Sequence, residues 1–101
     1  MKRRETTARA APATADLARA FASLKDPEVV VDFLVDLCTP AELEALADRW
    51  SVVPLLDHGV SYRSIHQQTG VSVTTVGRVA RCLDHGTGGY RAALERHTDG
   101  A

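Results

Sequence analysis

The segment from Ser61 to Leu83 constrains the fold of this chain more than any other stretch. Ser61 and Ser72 are residues that favour helix N-caps, and Gly70 between them is free to adopt the positive φ that ends a helix. The pattern predicts two short helices, 62–68 and about 73–84, joined by a tight turn at Thr69, Gly70 and Val71.

The second of these helices has two distinct faces. At about 100° per residue, the aliphatic side chains fall on one side: Val73, Val76, Val79, Ala80 and Leu83. The other side carries Thr74, Gly77, Arg78, Arg81 and His85, with Thr75 at the flank nearest the helix start. In a single isolated amphipathic helix, such a polar face would be explained by contact with solvent alone. The paired caps and the glycine turn at this offset are instead typical of a helix-turn-helix that binds DNA.

This interpretation assigns a role to each polar residue of the motif. The first residues of a recognition helix reach base edges, and basic groups farther along hold phosphates. We therefore place Thr74, Thr75 and Gly77 at the groove floor and Arg78 and Arg81 at phosphates, with Arg78 also a candidate for guanine. The free N–H groups at the helix start suit a phosphate. The predicted DNA-binding residues are Arg63, Ser72, Thr74, Thr75, Gly77, Arg78 and Arg81.

The distribution of charge agrees with this placement. The net charge of −1 argues against a polycationic nucleic-acid binder. Residues 16–60 carry three basic and nine acidic side chains, whereas residues 61–97 carry five basic and two acidic ones. Phosphate attraction acts over about a Debye length, ~10 Å at 0.1 M salt, so a basic half can bind DNA beside an acidic half. Some asymmetry is expected of any small protein, so charge supports the motif without establishing it.

The rest of the chain also favours helices. Residues 1–15 lack a periodic apolar face and carry four basic groups, which predicts a disordered basic arm. Apolar spacing predicts a helix at about 16–25, and Asp26 before Pro27 marks the start of another. A strand at Val29-Val30-Val31 is the alternative, but it would have no partner strand.

A long helix and a short one complete the predicted architecture. Thr39, Pro40 and Glu42 match a capping box, and Gly59 is placed to end that helix. Pro54 within it predicts a kink or a break. A last short helix is expected around Tyr90, before a tail at 98–101. The fold class is therefore all-α, with about six helices and a helix-turn-helix at 61–84.

From Cys38 onward the sequence resembles the Trp repressor superfamily, and within it the YerC/YecD type of Trp-repressor-related regulators. The resemblance rests on Thr-Pro-Ala-Glu-Leu-Glu-Ala-Leu-Ala-Asp-Arg (39–49), Leu-Leu-Asp-His-Gly (55–59), Thr-Gly-Val-Ser (69–72), Thr-Val-Gly-Arg (75–78) and Arg-Cys-Leu-Asp-His-Gly-Thr-Gly-Gly-Tyr (81–90). It implies an all-helical, intertwined homodimer whose two helix-turn-helix units lie about one DNA turn apart. Residues 16–97 would then form the DNA-binding and dimerisation domain. Several apolar residues would be buried between the chains: Phe21, Phe33, Leu34, Leu37, Leu46 and Trp50.

The resemblance also suggests a candidate effector pocket. Two arginines flank the indole of tryptophan in Trp repressor, and their matching positions here are Arg49 and Arg78. Glycine follows the second arginine there, but Val79 follows it here and would intrude on the ligand space. The turn before the helix-turn-helix is also one residue shorter. We therefore expect no tryptophan corepressor, and either ligand-independent DNA binding or an unknown effector. Arg49 would pair with an acid such as Glu42 or Asp36, or stay solvated.

Other functions find less support in the sequence. A protein-interaction module without DNA binding, docking through Leu55, Leu56 and Tyr90, is the main alternative. No catalytic constellation, metal site or cofactor is expected, because His58, His66, His85 and His97 lie on separate elements. Cys38 and Cys82 lack metal-ligand spacing and are expected to be small buried hydrophobes in a reducing cytosol. No signal peptide or membrane span is visible, so we expect a cytoplasmic protein.

Overall fold

A computed structural model describes the backbone of residues 11–100 and the side chains of residues 11–97. All regular structure in this range is helical: α1 (Pro12–Ser23), α2 (Pro27–Leu37), α3 (Pro40–Asp57), α4 (Tyr62–Thr69), α5 (Val73–His85) and α6 (Gly89–Gly100). The predicted all-α class with about six helices is confirmed. The described chain divides into two compact units, with the boundary between Thr39 and Pro40.

The first unit contains α1 and α2. Pro12 occupies the start of α1, so this helix begins before the predicted start at Asp16, because proline is well suited to the first helical turn. Residues 12–15 of the predicted arm are therefore helical, and residues 1–10 of that arm lie outside the described range. Asp26 caps α2 as predicted, and its carboxylate accepts a hydrogen bond of 2.9 Å from the Glu28 N–H. The valine triplet is helical.

Neither helix of the first unit has a buried residue. The Phe21 and Phe33 rings meet edge to face with their centroids 5.0 Å apart. Large aliphatic side chains nevertheless stay exposed along α2, among them Val31 at 54% and Val35 at 56%. Within this unit the apolar residues of α2 therefore lack the cover that a closed core provides.

The second unit opens with the long helix α3. Pro54 lies inside this helix, which continues to Asp57, so of the predicted kink or break, the break does not occur. Beyond Asp57 the chain closes a Schellman turn: Gly59 has φ +79°, its N–H donates to the Leu56 carbonyl, and the Val60 N–H donates to the Leu55 carbonyl. Gly59 thus ends the helix as the sequence predicts.

The core of the second unit lies where α3, α4, α5 and α6 meet. It is built almost entirely of aliphatic side chains: Val52, Val53, Ile65, Val71, Val76, Val79, Leu83 and Leu94. Helix α5 supplies Val76, Val79 and Leu83 to this cluster, so its apolar face is fixed inward. The polar face of α5 must therefore face away from the core. The last helix is longer than predicted and includes residues 98–100 of the expected tail.

Candidate nucleic-acid interface

Side-chain hydrogen bonds hold the turn between α4 and α5. Gly70 has φ +78°, which confirms the predicted positive-φ turn. The Thr69 hydroxyl donates to the Ile65 carbonyl at 2.7 Å and accepts from the Val71 N–H at 3.1 Å. The His66 ring crosses the same turn, and its Nδ1 lies 2.8 Å from the Val71 carbonyl, so Nδ1 carries the proton and donates it. These bonds fix the orientation of α5 relative to α4.

Both helices of the motif begin at the predicted serine caps. The Ser61 hydroxyl accepts from the Ser64 N–H at 3.1 Å. The Ser72 hydroxyl accepts from the Thr75 N–H at 3.1 Å and lies 3.0 Å from the Thr75 hydroxyl, to which it donates. Thr75 is therefore half-buried and engaged in the cap. Within the described chain the N–H groups of Val73 and Thr74 keep no partner, and they leave an open helix N-terminus.

The outer edge of α5 is accessible. Thr74, Arg78 and Arg81 are all exposed, whereas Val76 and Val79 on the opposite side are buried. Among residues 11–97, neither arginine forms an ion pair. Arg63 on α4 is also exposed and has no ion pair in that range. These guanidinium groups are therefore available to an external anion.

A shallow groove of about 490 Å³ runs along this edge. Its lining residues combine hydroxyl, basic, acidic and apolar side chains: Tyr62, Val73, Thr74, Gly77, Arg78, Ala80, Arg81, Asp84 and His85. The structure thus brings together four of the predicted contacts, Thr74, Gly77, Arg78 and Arg81. Arg63 and the capping residues Ser72 and Thr75 are not part of this lining.

Val73 departs from the prediction for the apolar face of α5. It is 49% exposed and lines the groove, although its spacing placed it with Val76 and Val79. Side chains on a helix lean toward its N-terminus, so the first residue projects past the end of the helix instead of onto the core. Helical periodicity alone does not reveal this end effect.

Tyr62 is the groove residue that sequence reasoning missed. It is 45% exposed at the first position of α4, and a methyl group built on Gly77 would lie 3.8 Å from Cε2 of its ring. The edge of the ring therefore lies beside Gly77, which the sequence placed at the groove floor. An aromatic directly after the Ser61 cap was the available signal, but the approach of α4 to α5 at this point is a tertiary feature.

An ion-pair network borders one end of the groove. Arg91 on α6 lies 2.8 Å from the Asp57 carboxylate at the end of α3 and 3.8 Å from Asp84 on α5. The three side chains are between 40% and 62% exposed, so the network is largely hydrated. It links α3, α5 and α6 and places one carboxylate, Asp84, in the lining of the groove.

The two arginines of the candidate effector pocket do not line this groove together. Arg78 lines it, whereas Arg49 on α3 does not. Arg49 is half-buried, and no ion pair joins it to another side chain of residues 40–97. Val79, only 1% exposed, is packed into the core.

The structure also shows where the residues considered for the alternative functions lie. Leu55, Leu56 and Tyr90 are partly buried against the core, which reduces the surface they offer to a partner. His58 bonds the Pro54 carbonyl through Nδ1 at 2.8 Å, and His97 stacks edge-on against Trp50 at 5.9 Å.

The cysteines differ from the prediction, because Cys38 is half-buried and Cys82 is exposed. Cys82 falls between the two faces of α5, outside the valine stripe that packs on the core. Within the described residues no group of three His, Cys, Asp or Glu is arranged to hold a metal ion. No helix in this part of the chain is long and apolar enough to cross a membrane.

Comparison with known proteins shows which family and which folds this chain is similar to. The family model described as Trp repressor protein matches residues 14–98. The uncharacterized protein YerC of Bacillus subtilis (strain 168) is 45% identical over 74 residues, which are 73% of this chain and 71% of YerC. The crystal structure of a TrpR-like protein from Eubacterium eligens ATCC 27750 superposes with a TM-score of 0.81 at 36% identity, covering 89% of this chain and 93% of that one. A candidate Trp repressor from Staphylococcus aureus gives a TM-score of 0.80 at 33% identity, covering 87% of this chain and 88% of that one.

Proposed function

This chain belongs to the Trp repressor family, and on that premise we propose that it is a transcriptional regulator that binds specific double-stranded DNA as a homodimer. The family is one of regulators and not a class of enzymes. In this proposal α4 and α5 form the helix-turn-helix, with α5 as the recognition helix in the major groove.

One observation carries the DNA-binding proposal. Thr74, Arg78 and Arg81 form an exposed edge on α5, and the two arginines have no ion pair within residues 11–97. The open N-terminus of α5 adds unpaired N–H groups at the same end as Thr74. These groups are all hydrogen-bond donors: hydroxyls, guanidinium groups and the N–H groups of a helix N-terminus. Such donors bind the phosphate oxygens of DNA and the acceptors on base edges. Ser72 and Thr75 contribute by holding that N-terminus in shape, and Arg63 extends the basic surface onto α4.

The uncovered apolar surface of the first unit supports the homodimer. Val29, Val31 and Val35 on α2 are each at least 44% exposed, as is Leu37 at 48%. A helix pair with no buried residue gains little from packing, and short helices are marginal in water without it. An exposed apolar patch of this kind indicates a protein interface. A second copy of the chain would cover it and place two copies of α5 for paired half-sites.

The burial of Val79 supports DNA binding without tryptophan. Val79 packs into the core next to Arg78, and Arg49 lies outside the groove that Arg78 lines. Val79 also replaces the glycine that leaves room for the indole in Trp repressor, so the residue beside Arg78 differs from that of a tryptophan site. Binding that needs no ligand, or that responds to another effector, fits this arrangement better, and a DNA-bound regulator of this type would act in the cytoplasm.

Selection from a pool of random duplexes tests the proposal directly. The full-length protein is expected to enrich a two-fold symmetric site with half-sites about 10 base pairs apart, one helical turn. Its affinity should fall steeply with salt, because each bound phosphate releases counterions. Recovery of the input pool without enrichment, at salt low enough to permit binding, would reject sequence-specific recognition.

A further inference from the structure

Tyr62 has an unusual position for a large aromatic side chain. Its ring contacts the recognition helix at Gly77, yet 45% of the residue is exposed. Within residues 11–97 its hydroxyl forms no hydrogen bond. One edge of the ring thus lies beside α5, while the hydroxyl remains available in the groove that Arg78 and Arg81 also line.

We infer that Tyr62 contacts the DNA backbone directly, with its hydroxyl donating a hydrogen bond to a phosphate oxygen. The inference rests on the proposed function and adds a contact to it. Tyr62 and Gly77 line the same groove, and the Cε2 edge of the ring lies beside Gly77, so a duplex that enters the groove meets both residues. The aromatic ring then sets how closely α5 approaches the groove floor.

The position of Tyr62 in the motif favours a phosphate over a base. Tyr62 is the first residue of α4, and the first helix of a helix-turn-helix crosses the sugar-phosphate backbone. Neutral hydroxyl donors from tyrosine are common partners of phosphate oxygens, where they fix register without reading sequence. Thr74, nearer the start of α5, is left to face the bases.

A structural role alone does not require the phenol. A tyrosine that only supported Gly77 would gain nothing from its hydroxyl, which has no partner in the described chain. Phenylalanine would provide the same ring contact. The hydroxyl is therefore the atom that separates a DNA contact from a packing residue, and a single-atom substitution tests it.

Tyr62→Phe keeps the ring beside Gly77 and removes only the hydroxyl. We expect binding to the selected duplex to weaken roughly 100-fold or more, because a hydrogen bond to a charged acceptor is lost in each of two subunits. The slope of log affinity against log salt should not change, since no cation is removed. The thermal midpoint should also match that of the unsubstituted protein. Tyr90→Phe, on α6 and partly buried against the core, is the matched control and should bind normally.

Fluorine NMR gives an independent measurement. The chain has two tyrosines, so incorporation of 3-fluorotyrosine yields two resonances that the Tyr62→Phe variant assigns. Saturation with duplex should shift the Tyr62 resonance and leave that of Tyr90 nearly in place. Normal affinity of Tyr62→Phe, or an unmoved Tyr62 resonance in the complex, would overturn this contact while leaving the regulator proposal intact. Failure of the unsubstituted protein to bind any duplex would instead remove both.

Discussion

The double substitution Arg78→Ala and Arg81→Ala tests the DNA interface most directly. Both side chains are exposed on α5 and free of ion pairs within the described residues, so their removal breaks no internal ion pair. Alanine has the highest helix propensity, which should preserve α5. The far-ultraviolet circular dichroism and the oligomeric state should therefore remain those of the unsubstituted protein. Any loss of binding then reports on the interface and not on the fold.

The expected size of the effect follows from counterion release. Each neutralised phosphate contributes about 0.9 to the slope of log affinity against log salt. Two arginines in each of two subunits contribute about 3.6 to that slope, if each holds one phosphate. Between about 50 and 200 mM salt, the unsubstituted protein should then lose about 150-fold more affinity than the double variant.

Fluorescence anisotropy with a labelled duplex, repeated across this salt range, measures both slopes. The charge-matched control is Arg19→Ala with Arg96→Ala, which removes the same charge from exposed positions on α1 and α6. Arg96 is two residues from the buried Leu94 and so faces away from the core. The control should keep nearly the original slope. If both double variants show the same slope, the arginines of α5 are not phosphate contacts and the placement of α5 on DNA is wrong.

Three further substitutions test the rest of the structure. Val35→Asp places a charge on the exposed apolar face of α2 and should convert the dimer to monomers, as measured by light scattering. An unchanged molecular mass would show that this face is not the dimer interface. Gly70→Ala forces a side chain at φ +78° and should cost about 1–2 kcal/mol in chemical denaturation. Gly89→Ala, which has ordinary φ and open space around it, is the control and should cost less. Arg91→Ala breaks the half-exposed ion pair with Asp57 and should lower the free energy of unfolding by at most about 1 kcal/mol, measured by thermal unfolding. A much larger loss would show that this ion pair is not the hydrated contact described above.

The features that sequence alone predicted correctly are those decided by a few neighbouring residues. The caps at Asp26, Ser61 and Ser72 depend on a side chain and an N–H at most three positions away. The turns at Gly59 and Gly70 depend on one positive φ. Such local interactions can be predicted from the sequence without knowledge of the tertiary fold.

The features that sequence missed depend on the surroundings of a residue. Pro54 is tolerated inside α3 although proline disfavours a helix interior, because packing of α3 against its neighbours outweighs a local preference. Val73 has the right spacing for the core but lies at the end of its helix. Tyr62 meets Gly77 only because α4 and α5 pack together. Pro54 and Tyr62 depend on how two helices pack together, and Val73 depends on its place at the helix end; the spacing of apolar residues along the sequence specifies neither.

The core of the second unit also fixes which side of α5 can meet DNA. Val76 and Val79 are 0% and 1% exposed, and Arg78 lies between them in sequence but on the opposite side of the helix. Turning α5 by one residue, about 100°, would carry Arg78 into the buried place of Val79 and move Val76 out of the core to the half-buried place of Gly77. Burying an unpaired guanidinium costs far more free energy than any repacking of the valines would return. The orientation of the DNA-facing edge is therefore set by the same packing that stabilises the fold, and core substitutions in α5 are expected to affect both properties together.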